Sequence, residues 1–239
     1  MMTKSVSFVN VATQMLIEVV LLKQNMAKPV LVTGFEPFGN HSENVSGEIA
    51  QKLDGREIRG HKIQSHILSV DYEGSILTSQ LLEESSYAAI IHLGLAENST
   101  NPRIEIRAKD ILDFRIPDNS GRQVRDSQIS GDGDLFSTIK PEDWDIKAMI
   151  DSPVISDDAG EYLCNETLYR TLMKIDDNTP CFFLHLPLQQ DDAIGLVLQC
   201  IDRMLRPPCI DVGAGAIILD GKFLAARRAP SEKHAGWWE

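Results

Sequence analysis

A single cysteine stands where a polar segment passes into a predicted amphipathic helix. Cys164 follows the polar stretch 156–160, and apolar residues recur after it at helical spacing: Leu168, Leu172 and Ile175. This spacing predicts a helix with Cys164 in its first turn or two. Three polar residues before the cysteine are candidates for the helix cap: Ser156, Asp157 and Asp158.

The start of a helix is a favourable place for a nucleophile. Unpaired backbone N–H groups and the positive end of the helix dipole lower the pKa of a thiol there, and they offer hydrogen bonds to an oxyanion. A lone cysteine at such a position is more commonly a small buried apolar residue. Other residues of the chain must decide between these two interpretations of Cys164.

A histidine and a carboxylate could complete the machinery of a thiol hydrolase. His185 lies near the end of a predicted apolar strand, where its imidazole could take the proton of the thiol. Glu105 lies between Ile104 and Ile106 in a segment that alternates apolar and polar residues, which predicts an exposed side chain. Taken alone, a histidine such as His185 is more commonly a core residue and a glutamate such as Glu105 an exposed strand residue, and their spacing does not decide between these interpretations and the catalytic one.

The segments that must position these residues alternate between strands and helices. Strands are predicted at 29–33, 62–70, 88–93, 104–109 and 181–187, and helices at 46–53, 72–84 and 194–205. Residues 122–151 are polar and predict a surface excursion or hairpin. This order predicts an α/β fold with a single open, twisted, mostly parallel or mixed sheet and helices on both faces. Sites are expected at the carboxyl ends of the strands.

Composition narrows the classes of function. The chain has 239 residues, 43% of them hydrophobic, and a formal net charge of −12, which argues against a nucleic-acid partner. The four cysteines lie far apart, without zinc spacing, so we expect a reducing cytoplasm and neither a metal nor another cofactor.

The first 25 residues contain an apolar run from Val6 to Leu22 that is interrupted by Glu18. Only Lys4 supplies positive charge ahead of it, and no cleavage site of the Ala-x-Ala type follows. We therefore expect an N-terminal extension at 1–25 that neither anchors the protein in a membrane nor exports it. The main domain is predicted to span 26–208.

Four motifs, in order, resemble those of the type I pyroglutamyl peptidases, over about residues 28–206. They are Thr33–Gly39 (TGFEPFG), Arg115–Asn119 (RIPDN), Ser156–Asn165 (SDDAGEYLCN) and Phe183–Pro187 (FLHLP). The resemblance implies a catalytic triad and a set of substrate-binding residues. The triad would be Glu105, Cys164 and His185; Phe35 and Phe38 would embrace the pyroglutamyl ring, and Arg115 would lie near the active site.

The resemblance implies a cysteine peptidase that removes N-terminal pyroglutamate from peptides through a thioester. Its partners would be such peptides, with no membrane and a possible homo-oligomer. The chain departs from the family pattern at Leu95, where many members have glutamine, and in the residues that follow Glu105. These departures leave two alternatives open: a related amidase with an altered pocket, and a catalytically silent binding or scaffold domain.

A second resemblance begins where the first ends. The segment from Gly213 to Arg228, together with Trp237 to Glu239, is similar to the opening strands of a Nudix hydrolase, with Asp220 and Gly221 as a hairpin turn. The metal-binding box of that family is not in the sequence. We therefore expect 209–239 to be a truncated segment that does not fold independently.

Overall fold

The computed structural model describes residues 27–39, 42–189 and 191–206, together with the backbone of 218–219 and 222–223. The chain divides into two compact units, Met1–Arg206 and Pro207–Glu239. The predicted N-terminal extension, 1–25, lies outside the described residues. The predicted domain boundaries remain predictions.

The first unit is built on a seven-stranded mixed sheet. Its strands are β1 (Val30–Phe35), β2 (Glu57–Ile58), β3 (His61–Leu68), β4 (Ala89–Leu95), β5 (Arg103–Glu105), β8 (Val154–Ser156) and β9 (Cys181–Leu186). A separate small sheet pairs β6 (Arg107–Ala108) with β7 (Leu135–Phe136). The order across the large sheet is β2-β3-β1-β4-β9-β5-β8, and the central four strands are parallel. Strand β5 runs antiparallel to β9, so its first residue lies beside the carboxyl end of β9.

Within the described residues, four α-helices cover the sheet, two on each face. They are α1 (Val45–Leu53), α2 (Tyr72–Glu84), α3 (Leu163–Leu172) and α4 (Ala193–Met204). Apolar residues of α1 and α4 join one core cluster, and those of α2 and α3 join or pack against the other. This arrangement confirms the predicted α/β fold with a mixed, mostly parallel sheet. The bounds of α2 agree with the predicted helix at 72–84.

Two local predictions were wrong. The predicted strand at 104–109 is split into β5 and β6, and Glu105 is completely buried instead of exposed. The reason is that β5 is an internal strand, hydrogen-bonded to β9 on one side and to β8 on the other. The N-cap of α3 is Tyr162, without a side-chain hydrogen bond, and none of the three predicted capping residues lies at the helix end.

The polar region 122–151 includes β7 and two short 3-10 turns, Pro141–Asp143 and Ile146–Ala148. The buried carboxylate of Asp110 holds its first part by accepting four backbone N–H groups, from Ile129, Ser130, Gly131 and Gly133. Burial alone would raise the pKa of Asp110, but these hydrogen bonds lower it. The buried Asp110 side chain therefore ties this predicted surface excursion to the segment that follows β6.

In the second unit, the described backbone forms an antiparallel pair, β10 (Ile218–Leu219) and β11 (Lys222–Phe223), in which Leu219 pairs with Lys222. This pairing agrees with the predicted hairpin. The rest of the tail lies outside the described residues, and its resemblance to a Nudix hydrolase remains a prediction. Among the described helices, none is both long enough and apolar enough to cross a bilayer.

Candidate active site

Helix α3 carries Cys164 as its second residue, in the first turn as predicted. Within the helix, the first backbone hydrogen bond runs from the Glu166 N–H to the Tyr162 carbonyl. The N–H groups before Glu166 are therefore not used by the helix ladder. The first turn presents both a thiol and free backbone donors.

Glycine at position 94 makes room for this thiol. A Cβ atom on Gly94 would lie 3.3 Å from the Cys164 sulfur and only 2.6 Å from the ring of Phe183, which is too close for a real contact. Gly94 is the register partner of His185 on the adjacent parallel strand, so the two residues point to the same face of the sheet. The sulfur of Cys164 therefore lies over the strand position next to His185.

His185 is paired with a buried carboxylate. Its Nδ1 lies 2.7 Å from Oε1 of Glu105, and the two side chains are 5% and 0% exposed. A carboxylate at Nδ1 favours the tautomer with the proton on that nitrogen, which leaves Nε2 as an acceptor. Among the described residues, Nε2 has no hydrogen-bond partner. The ring also packs against Phe183 at a centroid distance of 4.7 Å.

The surroundings of the thiol favour its protonated form. Burial raises the pKa of Cys164 to about 12, and the negative charge of Glu105 contributes in the same direction, whereas a backbone N–H and Arg103 act in the opposite direction. The residue keeps some exposed surface, but protein atoms surround the sulfur. The expectation of a lowered pKa at this helix terminus is therefore wrong, because burial and the charge of Glu105 outweigh the backbone N–H and Arg103.

A small cavity of about 30 Å³ adjoins the thiol. Most of its lining is apolar, and the lining residues are Phe35, Phe38, Asn44, Val70, Leu95, Tyr162, Leu163 and Cys164. The structure thus brings two of the three predicted substrate-binding residues, Phe35 and Phe38, to the same cavity as Cys164. Leu95 presents an apolar side chain there.

Arg115, the third predicted binding residue, lines a different cavity. This neighbouring cavity, of about 420 Å³, shares Phe38 and Tyr162 with the small one and is lined by charged residues: Lys109, Asp113, Arg115, Asp158 and Glu161. Arg115 itself is exposed. The structure therefore places Arg115 beside the site and does not place it in the cavity of Cys164.

Helix α3 also carries a buried ion cluster two residues beyond the thiol. The Glu166 carboxylate is completely buried and forms ion pairs with Arg122 and with Arg170, the latter at 2.7 Å. Arg122 also pairs with Asp118 at 3.1 Å. Burial lowers the pKa of Arg122, but Glu166 and Asp118 together raise it. The cluster ties the loop at 118–122 to α3.

Sequence reasoning missed several residues of this site. Gly94 carried a signal, since a glycine at the end of a buried strand indicates close approach by another group. Tyr162, directly before the helix, lines both cavities and donates a hydrogen bond to the Pro117 carbonyl at 3.2 Å. Arg103 and Glu166 each have one ion partner close in sequence, Glu105 and Arg170, so their spacing carried a local signal that sequence reasoning did not use. Within the described ranges, no three His, Cys, Asp or Glu side chains are grouped as a metal site would require.

Comparison with known proteins places this arrangement in a family. The family model for pyroglutamyl peptidase matches residues 28–206. The chain is 35% identical over 175 residues to a pyrrolidone-carboxylate peptidase of Thermococcus litoralis, covering 70% of this chain and 80% of the relative. It is also 35% identical over 190 residues to that of Deinococcus radiodurans, covering 75% and 84%.

Solved structures agree with this result. The pyrrolidone carboxyl peptidase of Thermococcus litoralis superposes with a TM-score of 0.65 at 29% identity, covering 74% of this chain and 91% of that one. A mutant of the Pyrococcus furiosus enzyme gives a TM-score of 0.64 at 27% identity, covering 74% and 96%. The chain belongs to the pyroglutamyl peptidase family of cysteine peptidases.

Proposed function

We propose that this chain removes N-terminal pyroglutamate from peptides, with Cys164 as nucleophile, His185 as the proton carrier and Glu105 as the residue that orients the imidazole. The single observation that carries the assignment is the placement of the thiol over Gly94, the strand neighbour of a histidine whose Nδ1 is held by a buried carboxylate. Nucleophile, base and orienting acid are the three parts that such chemistry needs.

The protonated state of the resting thiol determines the first step. As the sulfur attacks the carbonyl carbon outside the lactam ring, its proton moves to Nε2 of His185. The tetrahedral adduct then expels the peptide amine, which receives that proton, and a thioester remains on Cys164. Water hydrolyses the thioester, with His185 accepting a proton from the water and returning it to the sulfur.

The oxyanion of both adducts requires hydrogen-bond donors close to the sulfur. The first turn of α3 supplies backbone N–H groups that the helix does not use, and the helix dipole adds positive potential there. One such donor typically contributes about 10²- to 10³-fold in rate. We assign this role to the backbone at 163–165.

Pyroglutamate is a small neutral lactam, so its recognition depends on shape and on apolar contact. Phe35 is rigid, buried at the end of β1, whereas Phe38 is half-buried in the loop that follows. The cavity between them and Cys164, at about 30 Å³, is smaller than a lactam ring. We therefore assign ring binding to these two phenylalanines, with Phe38 moving outward to admit the ring.

Hydrolysis of a fluorogenic pyroglutamyl amide tests the proposal. The wild-type protein should cleave it and leave the prolyl and alanyl amides uncleaved, and Cys164→Ser should abolish turnover while the circular dichroism spectrum is unchanged. Phe35→Ala and Phe38→Ala should each raise KM, because each loses about 1–3 kcal/mol of substrate-binding free energy. Unchanged turnover in Cys164→Ser would refute the assigned nucleophile.

One observation favours a second candidate, a related amidase with a different acyl preference. Leu95 lines the cavity beside Cys164 with an apolar side chain, so no polar group at this position meets the lactam amide. Under this alternative, Cys164 remains essential but another small acyl amide is cleaved faster than the pyroglutamyl one. A panel of acyl aminocoumarins with rings and chains of similar size separates the two candidates by their kcat/KM values.

A further inference from the structure

The buried carboxylate of Glu105 has a second cationic neighbour besides His185. Arg103 lies two residues earlier on β5, and its Nε is 3.2 Å from the same Oε1 atom that His185 contacts. In the sheet, Arg103 is the register partner of His185. One carboxylate oxygen is thus shared by an imidazole and a guanidinium.

The hydrogen bonding of this group is incomplete. Oε2 of Glu105 and Nε of Arg103 are both buried, and neither has a hydrogen-bond partner within the described part of the chain. An ionised carboxylate that is 0% exposed needs a compensating charge, because burial strongly disfavours an isolated charge. Arg103 supplies that charge while the imidazole of His185 is neutral.

We propose that Arg103 is a positioning residue of this active site, which keeps Glu105 ionised and thereby sets how tightly His185 holds a proton. The inference rests on the proposed roles of Glu105 and His185. The side chain of Arg103 is 35% exposed and reaches a cavity lined by the loop 96–100. The proposed role gives a reason for a guanidinium at this position of the sheet.

The direction of the effect follows from charge balance. With Arg103 in place, Glu105 has a permanent counter-ion, and His185 can be neutral when the thiol proton must be accepted. Without it, the cation that remains beside Glu105 among the described residues is a protonated His185, so the imidazole holds its proton to higher pH. Consistently, Arg103 lowers the pKa of the Cys164 thiol while Glu105 raises it.

Few other charges face this group. Cys164 approaches from α3, and Glu97 lines the same cavity as Arg103, in the loop after β4. The neighbouring strand positions carry no charge: Gly94 lies beside His185 on β4, and Ser156 lies beside Glu105 on β8. Within the described residues, the balance is therefore dominated by Arg103, Glu105 and His185.

The test uses Arg103→Met, which keeps the length of the stem and removes the charge, Arg103→Lys, which retains a charge, and Arg107→Met as control. Arg107 is a similarly exposed arginine, 30% for its side chain, whose ion partners are Asp134 and Asp157. For each variant, kcat/KM on a pyroglutamyl amide is measured against pH, and the titration of the His185 imidazole is followed by NMR.

For Arg103→Met we expect the acid limb of kcat/KM and the imidazole titration to move together, about one pH unit upward. At pH values below the limb, kcat/KM should be about tenfold lower than in the wild type, and at pH values above the limb it should approach the wild-type value. Arg103→Lys should restore most of the wild-type profile, and Arg107→Met should not differ from it. In the Glu105→Gln background, the shift of the imidazole titration on Arg103→Met should largely disappear.

An unchanged limb and titration in Arg103→Met would overturn the inference. A uniform loss of activity at every pH would also overturn it, because that pattern indicates a purely structural role. Failure of the proposed function looks different: the wild-type protein would not cleave the amide, or Cys164→Ser would remain active. The imidazole titration tests the role of Arg103 even then, since it requires no turnover.

Discussion

Two glutamates in the described part of the chain are completely buried, and they are paired in different ways. Both carboxylate oxygens of Glu166 are engaged, by Arg122 and by Arg170. Glu105 shares one oxygen between His185 and Arg103, and its other oxygen has no partner among the described residues. A fully paired charge holds elements together, whereas a partly paired one leaves its partner free to exchange a proton.

Two buried histidines on neighbouring strands show the same contrast. His92 on β4 has both ring nitrogens occupied, by the hydroxyls of Thr33 at 2.7 Å and Thr171 at 3.1 Å. For His185 on β9, the described residues supply a hydrogen-bond partner to Nδ1 alone. We conclude that the number of satisfied polar atoms, more than burial itself, separates the structural groups from the reacting ones.

The largest effect that this comparison predicts is on turnover. Glu105→Gln should lower kcat/KM about 10³- to 10⁴-fold, because an amide no longer selects the productive tautomer of His185. The free energy of unfolding should fall by less than in Glu166→Gln, because the guanidinium of Arg103 is 35% exposed and water can solvate it once the charge of Glu105 is removed. Steady-state kinetics and urea unfolding of the same preparation give both values. A Glu105→Gln variant that is folded but markedly less stable, and that keeps normal kinetics, would reverse the assignment of the two glutamates.

Glu166→Gln should show the opposite pattern. Removing this charge leaves two guanidinium groups without their shared partner, and we expect the free energy of unfolding to fall by about 2–4 kcal/mol. Glu161→Gln serves as the control, because Glu161 is partly exposed and pairs only at the surface with Lys109. The control should change stability by less than about 1 kcal/mol. Equal stabilities of the two variants in urea unfolding would contradict the structural role of Glu166.

The fold followed from the sequence more directly than the site did. Alternating strands and helices were predicted well because the periodicity of apolar residues reports which face of each element is buried. The proximity of Cys164 to His185 depends on strand order and register, which no local pattern encodes. Glu105 was predicted to be exposed because alternation on β5 resembles that of an edge strand, although β5 is internal.

The prediction of the helix cap was wrong for a related reason. Asp158, a candidate cap of α3, instead forms an ion pair with Lys109 at 2.8 Å. Lys109 is distant in sequence, so its attraction could not be read from residues 156–160. Tertiary charge pairing therefore displaced a local capping preference, and the helix starts later than predicted.

The reactivity of the thiols distinguishes the cysteine of the site from the buried cysteines. Iodoacetamide should modify Cys164 well before Cys181 and Cys200, because the latter two are completely buried. Since the pKa of Cys164 is raised to about 12, the thiolate fraction rises about tenfold per pH unit below that value, and the rate should keep rising from pH 7 to pH 10. Peptide mapping by mass spectrometry after timed labelling measures both. A rate that is already constant by pH 8 would instead indicate a resting thiolate–imidazolium pair.

A further predicted effect concerns stability in acid. Burial lowers the pKa of His92 to about 3, so the folded protein keeps this ring neutral while the unfolded chain binds a proton below about pH 6.5. His92 therefore makes the folded state lose stability as the pH falls from about 6.5 to 3, by at most about 1.4 kcal/mol per pH unit. In His92→Asn, the slope of unfolding free energy between pH 4 and 6 should be shallower than in the wild type.

The control for this prediction is His61→Gln, a histidine at the start of β3 whose Nδ1 contacts the Lys28 carbonyl. His61 lies on β3, two strands away from β4, which carries His92. The His61 variant should retain the wild-type slope in the same urea series. If the His92 variant also retains it, His92 is not held neutral by the fold, and the contrast between the two buried histidines fails.

The central claim is that Cys164 carries the acyl group during turnover. Rapid acid quenching of the wild-type protein with a pyroglutamyl ester, followed by peptide mass spectrometry, tests it directly. We predict that the peptide containing Cys164 gains the mass of one pyroglutamyl group, and that this adduct is absent in Cys164→Ser and accumulates more slowly in Glu105→Gln. Turnover without an adduct on this peptide, or an adduct on another residue, would contradict the account.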